Sequence, residues 1–223
     1  MKIRELLDTI EIPDGSELKL YRRDGEYSIM LGGTELMNSR KTGSEIALAS
    51  LACERLKEGP RPSVLIGGLG MGFTLRAALD RLPPEARVDV AELVPGIVAW
   101  ARGPMADIFG DSLDDRRVHL IVDDVAQVIR DSASTYDAIL LDVDNGPDGF
   151  TRDSNERLYD ARGLGSLRGA LRPGGVLTVW SSAGDRVFTA RLKRAGFEAE
   201  EVVVRSGGGK GGARHIVWVA KRS

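Results

Sequence analysis

Hydrophobic and polar residues follow two different rhythms along this chain of 223 residues. Near its beginning, residues 18–23 and 27–31 alternate or nearly alternate around Asp24-Gly25, which predicts a β-hairpin. A third short strand is expected over 34–37. Three short strands bury too little to fold alone. Residues 1–42 are therefore predicted to form a small antiparallel β appendage that packs on the main domain or on a second subunit.

From residue 43 to residue 223, short apolar runs alternate with segments of helical periodicity. This alternation predicts an α/β domain with a mostly parallel sheet covered by helices on both faces. Strands are expected at 63–67, 87–92, 117–122, 137–142 and 174–180. Helices are expected at 44–58, 72–81, 95–102, 124–131, 154–171 and 184–195. Two alternating segments close the chain, and they predict an antiparallel hairpin of strands at 197–205 and 215–220.

Composition narrows the class of protein. The net charge is −2 and charged residues make up 29% of the chain, so no broad basic excess points to a nucleic-acid partner. Cys53 is the single cysteine, which fits a reducing cytoplasm. We find no apolar run long enough for a membrane helix and no signal-peptide core, so a cytoplasmic protein is expected. His119 and His215 have no partner at ligand spacing, and no metal site is predicted.

A glycine cluster lies between the first buried strand and its following helix. Gly68, Gly70 and Gly72 form G-x-G-x-G, in which glycine permits positive φ and close approach of a ligand. Glu92 ends the next apolar run, about 20 residues further on, where an acidic side chain can accept hydrogen bonds from ribose hydroxyls. Together they predict a nucleoside site at this edge of the sheet.

A further carboxylate follows a strongly apolar strand. Asp142 comes directly after residues 138–141, at the edge where open α/β sheets bind ligands. Burial of a charge there is costly unless the charge is used or paired. The loop over 143–153 is rich in polar residues, and it either covers a substrate or is a solvated turn.

These motifs resemble the class I S-adenosylmethionine-dependent methyltransferase fold, a Rossmann-like sheet, and within it the spermidine synthase family. The segment Gly68–Arg76 is similar to the family's G-G-G-D-G-G-x-L-R, and Tyr136–Asp142 is similar to its Y-D-x-I-x-x-D. Ser44-Glu45, which enters a helix, resembles the end of the family's amino-terminal β-domain. The resemblance covers roughly residues 18–220. It implies S-adenosylmethionine or its decarboxylated form as donor, a small-molecule acceptor such as an amine, and a homodimer.

The resemblance also implies roles for individual residues. The three glycines and Glu92 would bind the donor, and Asp142 would bind its amino group or an amine nucleophile. Asp124 would accept a hydrogen bond from adenine, with a helix N-cap at Asp124 or at Asp123 as the alternative. The implied catalytic residues are Asp142 and Asp144, and the implied substrate contacts are Asn145, Asp148 and Tyr159.

Two positions depart from the family pattern. Met71 stands where the family has the aspartate associated with the amino end of the decarboxylated donor. Asn145 stands where the second aspartate of D-x-x-D-P helps to deprotonate the amine, and an amide cannot act as a general base. Asp144 could substitute only if the loop is shifted.

Three functions remain open at this point. The first hypothesis is a small-molecule methyltransferase that uses S-adenosylmethionine, which the uncharged Met71 favours. The alternative is a polyamine aminopropyltransferase, which the overall motif set favours. The third is a non-catalytic nucleoside-binding or assembly protein that keeps the fold.

Overall fold

A computed structural model describes five segments of the chain: residues 4–12, 15–57, 59–142, 157–207 and 211–223. The first four strands form an antiparallel sheet in chain order: β1 (Glu5–Glu11), β2 (Glu17–Arg23), β3 (Glu26–Leu31) and β4 (Thr34–Asn38). The predicted hairpin at Asp24-Gly25 is confirmed, and both residues have positive φ. Strand β1 was not predicted, because most of its residues are exposed and its pairing with β2 is irregular between Leu6 and Asp8.

The second sheet has seven described strands in the order β10-β11-β9-β8-β5-β6-β7. They are β5 (Ser63–Gly67), β6 (Arg87–Glu92), β7 (Val118–Val122), β8 (Tyr136–Leu141), β9 (Leu171–Ser181), β10 (Phe197–Arg205) and β11 (Arg214–Arg222). Strands β5 to β9 pair in parallel, whereas β11 pairs antiparallel with both β9 and β10. The predicted Rossmann-like α/β sheet with an antiparallel carboxy-terminal pair is confirmed.

The helices with described bounds connect these strands and cover both faces of the sheet. They are α1 (Gly43–Cys53), α2 (Phe73–Leu79), α3 (Pro95–Arg102), α4 (Ala106–Phe109), α5 (Val125–Arg130), α6 (Ala161–Ala170) and α7 (Arg186–Arg194). No helix in the described segments is long and apolar enough to cross a membrane.

The seven-stranded sheet divides the hydrophobic core into two layers, and strand β5 contributes side chains to both. All five of its residues are buried, and successive side chains point to opposite faces. Val64 and Ile66 join a cluster that also contains Leu20 and Ile29 of the amino-terminal sheet, whereas Leu65 joins the cluster on the opposite face. The amino-terminal sheet therefore packs on the main domain of the same chain, and its residues share that core. The domain boundary at residue 42 stays a prediction.

Two predicted helices have different bounds in the structure. Helix α1 ends at Cys53 rather than at residue 58. The helix predicted over 154–171 is confirmed over Ala161–Ala170, but it is interrupted at Asp160 and ends one residue earlier than predicted. Asp160 caps it, and its carboxylate accepts hydrogen bonds from the backbone N–H groups of Arg162 and Gly163.

Candidate active site

The glycine cluster forms the turn between β5 and α2. Gly68, Gly70 and Gly72 have φ angles of 93°, 50° and 76°, in the left-handed region that glycine adopts readily. A Cβ added to Gly70 would lie 2.7 Å from the Cε atom of Met37, on strand β4. A Cβ added to Gly72 would collide with the ring of Phe109 in the core. Gly70 therefore borders the amino-terminal sheet, whereas Gly72 permits close packing beneath the turn.

Glu92, at the carboxyl end of β6, binds the backbone of this turn. Its Oε2 atom accepts a hydrogen bond of 2.9 Å from the N–H of Leu69, and its Oε1 atom accepts one of 2.9 Å from Val94. The residue is only 8% exposed, so these contacts compensate for the burial of its charge. Glu92 thus lies beside the glycine turn, as the sequence predicts, and its ribose contact stays a prediction.

Asp142 follows β8 at the same edge of the sheet. Its backbone N–H donates a hydrogen bond of 2.9 Å to the carbonyl of Gly67 on the neighbouring β5. Its carboxylate Oδ2 accepts a hydrogen bond of 2.7 Å from the hydroxyl of Thr74, in the first turn of α2. The sequence analysis did not identify Thr74. Thr74 therefore contributes to the orientation of the Asp142 carboxylate.

Asp142 and the glycine turn border a cleft with two adjoining parts. The inner cavity is lined by the turn, by Asp142 and by side chains of β4 and α1, among them Met37 and Glu45. The outer cavity shares Asp142, Met37 and Glu45 with the inner one and extends toward the antiparallel strands. Its further lining residues include Glu35, Lys41, Ser44, Trp180, Ser182 and His215. The cleft thus lies at the carboxyl ends of the central strands and beneath the amino-terminal sheet.

Titratable groups in the cleft respond to partial burial. Burial raises the pKa of the Glu45 carboxyl, an effect opposed by a hydrogen bond of 2.7 Å from the Ser44 hydroxyl to Oε2. Burial lowers the pKa of His215, and the nearby charge of Lys41 lowers it further. The rings of His215 and Trp180 lie 4.9 Å apart between centroids and form an aromatic wall of the outer cavity.

Asp124 has the second of the two roles that the sequence left open. It is the N-cap of α5, and its carboxylate accepts a hydrogen bond of 2.8 Å from the N–H of Ala126. The alternative cap at Asp123 is therefore wrong; its carboxylate accepts from the N–H of Asp124 instead. An adenine contact by Asp124 stays a prediction.

Of the predicted substrate contacts, the structure describes only Tyr159. Tyr159 is 1% exposed within a hydrophobic cluster, and its ring packs edge-on against Phe188 at 5.3 Å between centroids. The role of Tyr159 as a substrate contact stays a prediction. Asp144, Asn145 and Asp148 lie outside the described residues. Within the described ranges, no three His, Cys, Asp or Glu side chains gather as metal ligands.

Two curated relatives of this chain are polyamine aminopropyltransferases by name. The Mycobacterium tuberculosis protein "Polyamine aminopropyltransferase" is 32% identical over 133 residues, which are 58% of this chain and 24% of that protein. The Sulfolobus acidocaldarius protein of the same name is 27% identical over 126 residues, which are 56% of this chain and 40% of that protein. The chain therefore spans less than half the length of the relatives it matches here.

Solved structures show the same fold. The spermidine synthase of Thermotoga maritima superposes with a TM-score of 0.76 at 17% identity, covering 98% of this chain and 73% of that one. A probable spermidine synthase from Corynebacterium glutamicum gives a TM-score of 0.67 at 18% identity, covering 97% and 80% of the two chains. The family described as "Spermine/spermidine synthase domain" matches residues 47–188, which include the glycine turn, Glu92 and Asp142. The chain belongs to the spermine/spermidine synthase domain family.

Proposed function

We propose that the chain transfers an aminopropyl group from decarboxylated S-adenosylmethionine to an amine. Its membership of the family and the names of its curated relatives support this reaction over the methyl transfer first expected from Met71. The observation that carries the proposal is the position of Asp142. Its carboxylate, oriented by Thr74, borders the same cavity as the glycine turn.

The proposed reaction needs little from the protein beyond positioning. The lone pair of the amine nitrogen attacks the methylene carbon bound to the sulfonium, and the carbon–sulfur bond breaks as the carbon–nitrogen bond forms. Sulfur keeps the bonding electron pair and leaves as the neutral thioether of methylthioadenosine. The nitrogen then releases one proton to a base. In-line orientation of the two substrates at about 3 Å supplies several kcal/mol of the barrier reduction.

The described residues divide these tasks. The glycine turn would face the nucleoside, and Glu92, which already holds the turn at Leu69, would accept the ribose hydroxyls. Asp142 would attract the ammonium group of a substrate and is the described carboxylate best placed to receive the proton. The aromatic wall of Trp180 and His215 would exclude water from the outer cavity.

The test is to incubate the purified chain with decarboxylated S-adenosylmethionine and putrescine and to follow the products by mass spectrometry. We expect spermidine and methylthioadenosine in equal amounts, and we expect an Asp142→Asn variant to lose at least tenfold in rate. Absence of any aminopropylated product across diamines of different length would reject the proposal.

Methyl transfer is the second candidate function, and one observation favours it. Met71 is 1% exposed and uncharged, so the inner cavity lacks a carboxylate at this position. A cavity with less negative charge repels the carboxylate of intact S-adenosylmethionine less. Calorimetry with both donors distinguishes the candidates: tighter binding of the intact donor, followed by methylation of an amine, would favour methyl transfer.

A further inference from the structure

We infer that Glu45 is the residue by which this cleft selects a donor whose side chain ends in an ammonium group. The inference rests on the proposed function, because it assumes that the nucleoside part of the donor lies at the glycine turn. It adds a specificity-determining residue from α1, a helix that lies before the glycine turn in the chain.

The position of Glu45 supports this role. It lies in the first turn of α1, and its side chain lines both the inner and the outer cavity. Helix α1 packs against α2 and against strands β8 and β9, which brings Glu45 to the carboxyl end of the sheet. The side chain therefore lines the same inner cavity as the glycine turn.

The charges of the inner cavity point to a cationic occupant. Among the described residues that line it, the charged side chains are Glu45 and Asp142. Lys41 lines the outer cavity but is not among the residues that line the inner one. Burial of the Glu45 carboxylate disfavours its charged form, and a cation beside this carboxylate would offset that cost. An ammonium group of the donor would supply this cation.

The hydrogen bond from Ser44 prepares the Glu45 carboxylate for such a contact. Ser44 is 1% exposed, and its hydroxyl donates to Oε2 over 2.7 Å. This donor favours the ionised form of Glu45, in opposition to burial, which favours the neutral form. A bound ammonium group would favour the ionised form further, and the preformed hydrogen bond reduces the rotational freedom that binding must remove.

A purely structural role for Glu45 makes a different prediction. An acidic residue in the first turn of a helix stabilises that helix by interacting with its dipole. Loss of such a contact would lower stability and would weaken every ligand of the cleft to a similar extent. Selection of an ammonium group instead requires that only ligands carrying this group lose affinity.

The experiment compares two nucleosides with a neutral thioether sulfur that differ in the ammonium-bearing arm. Binding of 5′-(3-aminopropylthio)adenosine, which has this arm but no sulfonium charge, and of methylthioadenosine is measured by calorimetry for the wild-type chain and for Glu45→Gln. We expect the substitution to weaken the cationic ligand at least tenfold and methylthioadenosine less than twofold. Glu45→Asp keeps the charge with a shorter reach, so an intermediate loss is expected. Glu54→Gln removes the same charge at the exposed end of α1 and should change neither affinity.

The outcomes separate this inference from the proposed function. If the wild-type chain binds both nucleosides and Glu45→Gln leaves the ratio of their affinities unchanged, Glu45 does not select the ammonium group, while the donor site stands. If the wild-type chain binds neither nucleoside, the donor site itself is wrong and the inference is overturned with it.

Discussion

Glu92 and Leu69 are joined by a hydrogen bond of 2.9 Å that ties the end of strand β6 to the glycine turn after β5. The acceptor is a buried carboxylate oxygen, and the donor is a backbone N–H in the turn. The same carboxylate also accepts from Val94, just before α3. One side chain thus fixes two neighbouring strand-to-helix connections, so Glu92 has a structural role before any ligand binds.

Replacement of Glu92 by alanine should therefore affect both stability and binding. The N–H groups of Leu69 and Val94 would lose a charged acceptor, which costs about 2 kcal/mol in the free energy of unfolding. Urea denaturation measures this loss, and calorimetry with methylthioadenosine should show weaker binding. Glu85→Ala, at an exposed position, is the matched control and should leave both quantities unchanged. If Glu92→Ala is as stable as the wild type, the hydrogen bonds of Glu92 to Leu69 and Val94 do not stabilise the fold.

Thr74 and Asp142 permit a test of positioning. Thr74→Val keeps the shape of the side chain but removes the hydroxyl that donates a hydrogen bond of 2.7 Å to the Asp142 carboxylate. A hydrogen bond to a charged group contributes about 1.5–3 kcal/mol, so we expect the specificity constant for aminopropyl transfer to fall about tenfold or more. Steady-state kinetics measures this change. An equal rate in wild type and variant would show that the orientation of Asp142 does not depend on Thr74.

A threonine-to-valine substitution at Thr178, on strand β9, should increase the stability of the protein. Thr178 is fully buried, and its hydroxyl has no hydrogen-bond partner within the described residues. A buried polar group without a partner costs about 1–3 kcal/mol. Thr178→Val should therefore raise the free energy of unfolding by about 1 kcal/mol, measured by urea denaturation, without changing the rate of transfer. Lower stability would indicate that this hydroxyl has an acceptor after all.

The sequence predicts the middle of the seven-stranded sheet because strands β5, β6 and β8 are buried on both faces. Strand β5 is the clearest case: its apolar run has the predicted bounds, and all five residues are buried. Strand β1 was missed because only part of it faces the core, and its alternation is interrupted near Leu6. Strands at the edge of a small sheet carry little of the periodic signal on which such predictions depend.

The sequence predicts the position of a site residue when that residue follows a strand. It does not predict a contact between elements that are distant in the chain. Glu92 and Asp142 follow apolar runs, so their position at the carboxyl edge follows from topology. The contact between Thr74 and Asp142 joins the start of α2 to the end of β8, and no local pattern encodes it. Glu45 belongs to a segment that resembles the family, but only the packing of α1 places its side chain at the same cavity.

Alanine substitutions at two glycines of the turn should lower the stability of the protein by different amounts. Gly72→Ala would place a Cβ against the buried ring of Phe109 at a φ of 76°, so we expect a loss of about 3 kcal/mol in stability. Gly70→Ala would meet the flexible end of Met37 at a φ of 50°, and a loss of about 1 kcal/mol is expected because that end can move. Urea denaturation of both variants measures the difference. Equal losses would indicate that Phe109 yields as readily as Met37.

The Asp115–Arg117 pair predicts how stability depends on pH. The guanidinium of Arg117 donates to both carboxylate oxygens, over 2.9 Å and 2.7 Å, and these hydrogen bonds lower the pKa of Asp115 to about 2. The unfolded chain has the ordinary pKa of about 3.9. The pair therefore stabilises the fold above about pH 4, and its contribution is lost as the pH falls toward 2.

Asp115→Asn should show this dependence directly. Because the side chain of Asp115 is 26% exposed, solvent screening reduces the contribution, and we expect the variant to be about 1 kcal/mol less stable than wild type near neutral pH. The difference should shrink between about pH 4 and pH 2, as measured by urea denaturation at each pH. Asp114→Asn is the control, since its carboxylate is 78% exposed and lies 3.5 Å from Arg102. A difference for Asp115→Asn that is independent of pH would show that the variant loses packing rather than the charge of the carboxylate.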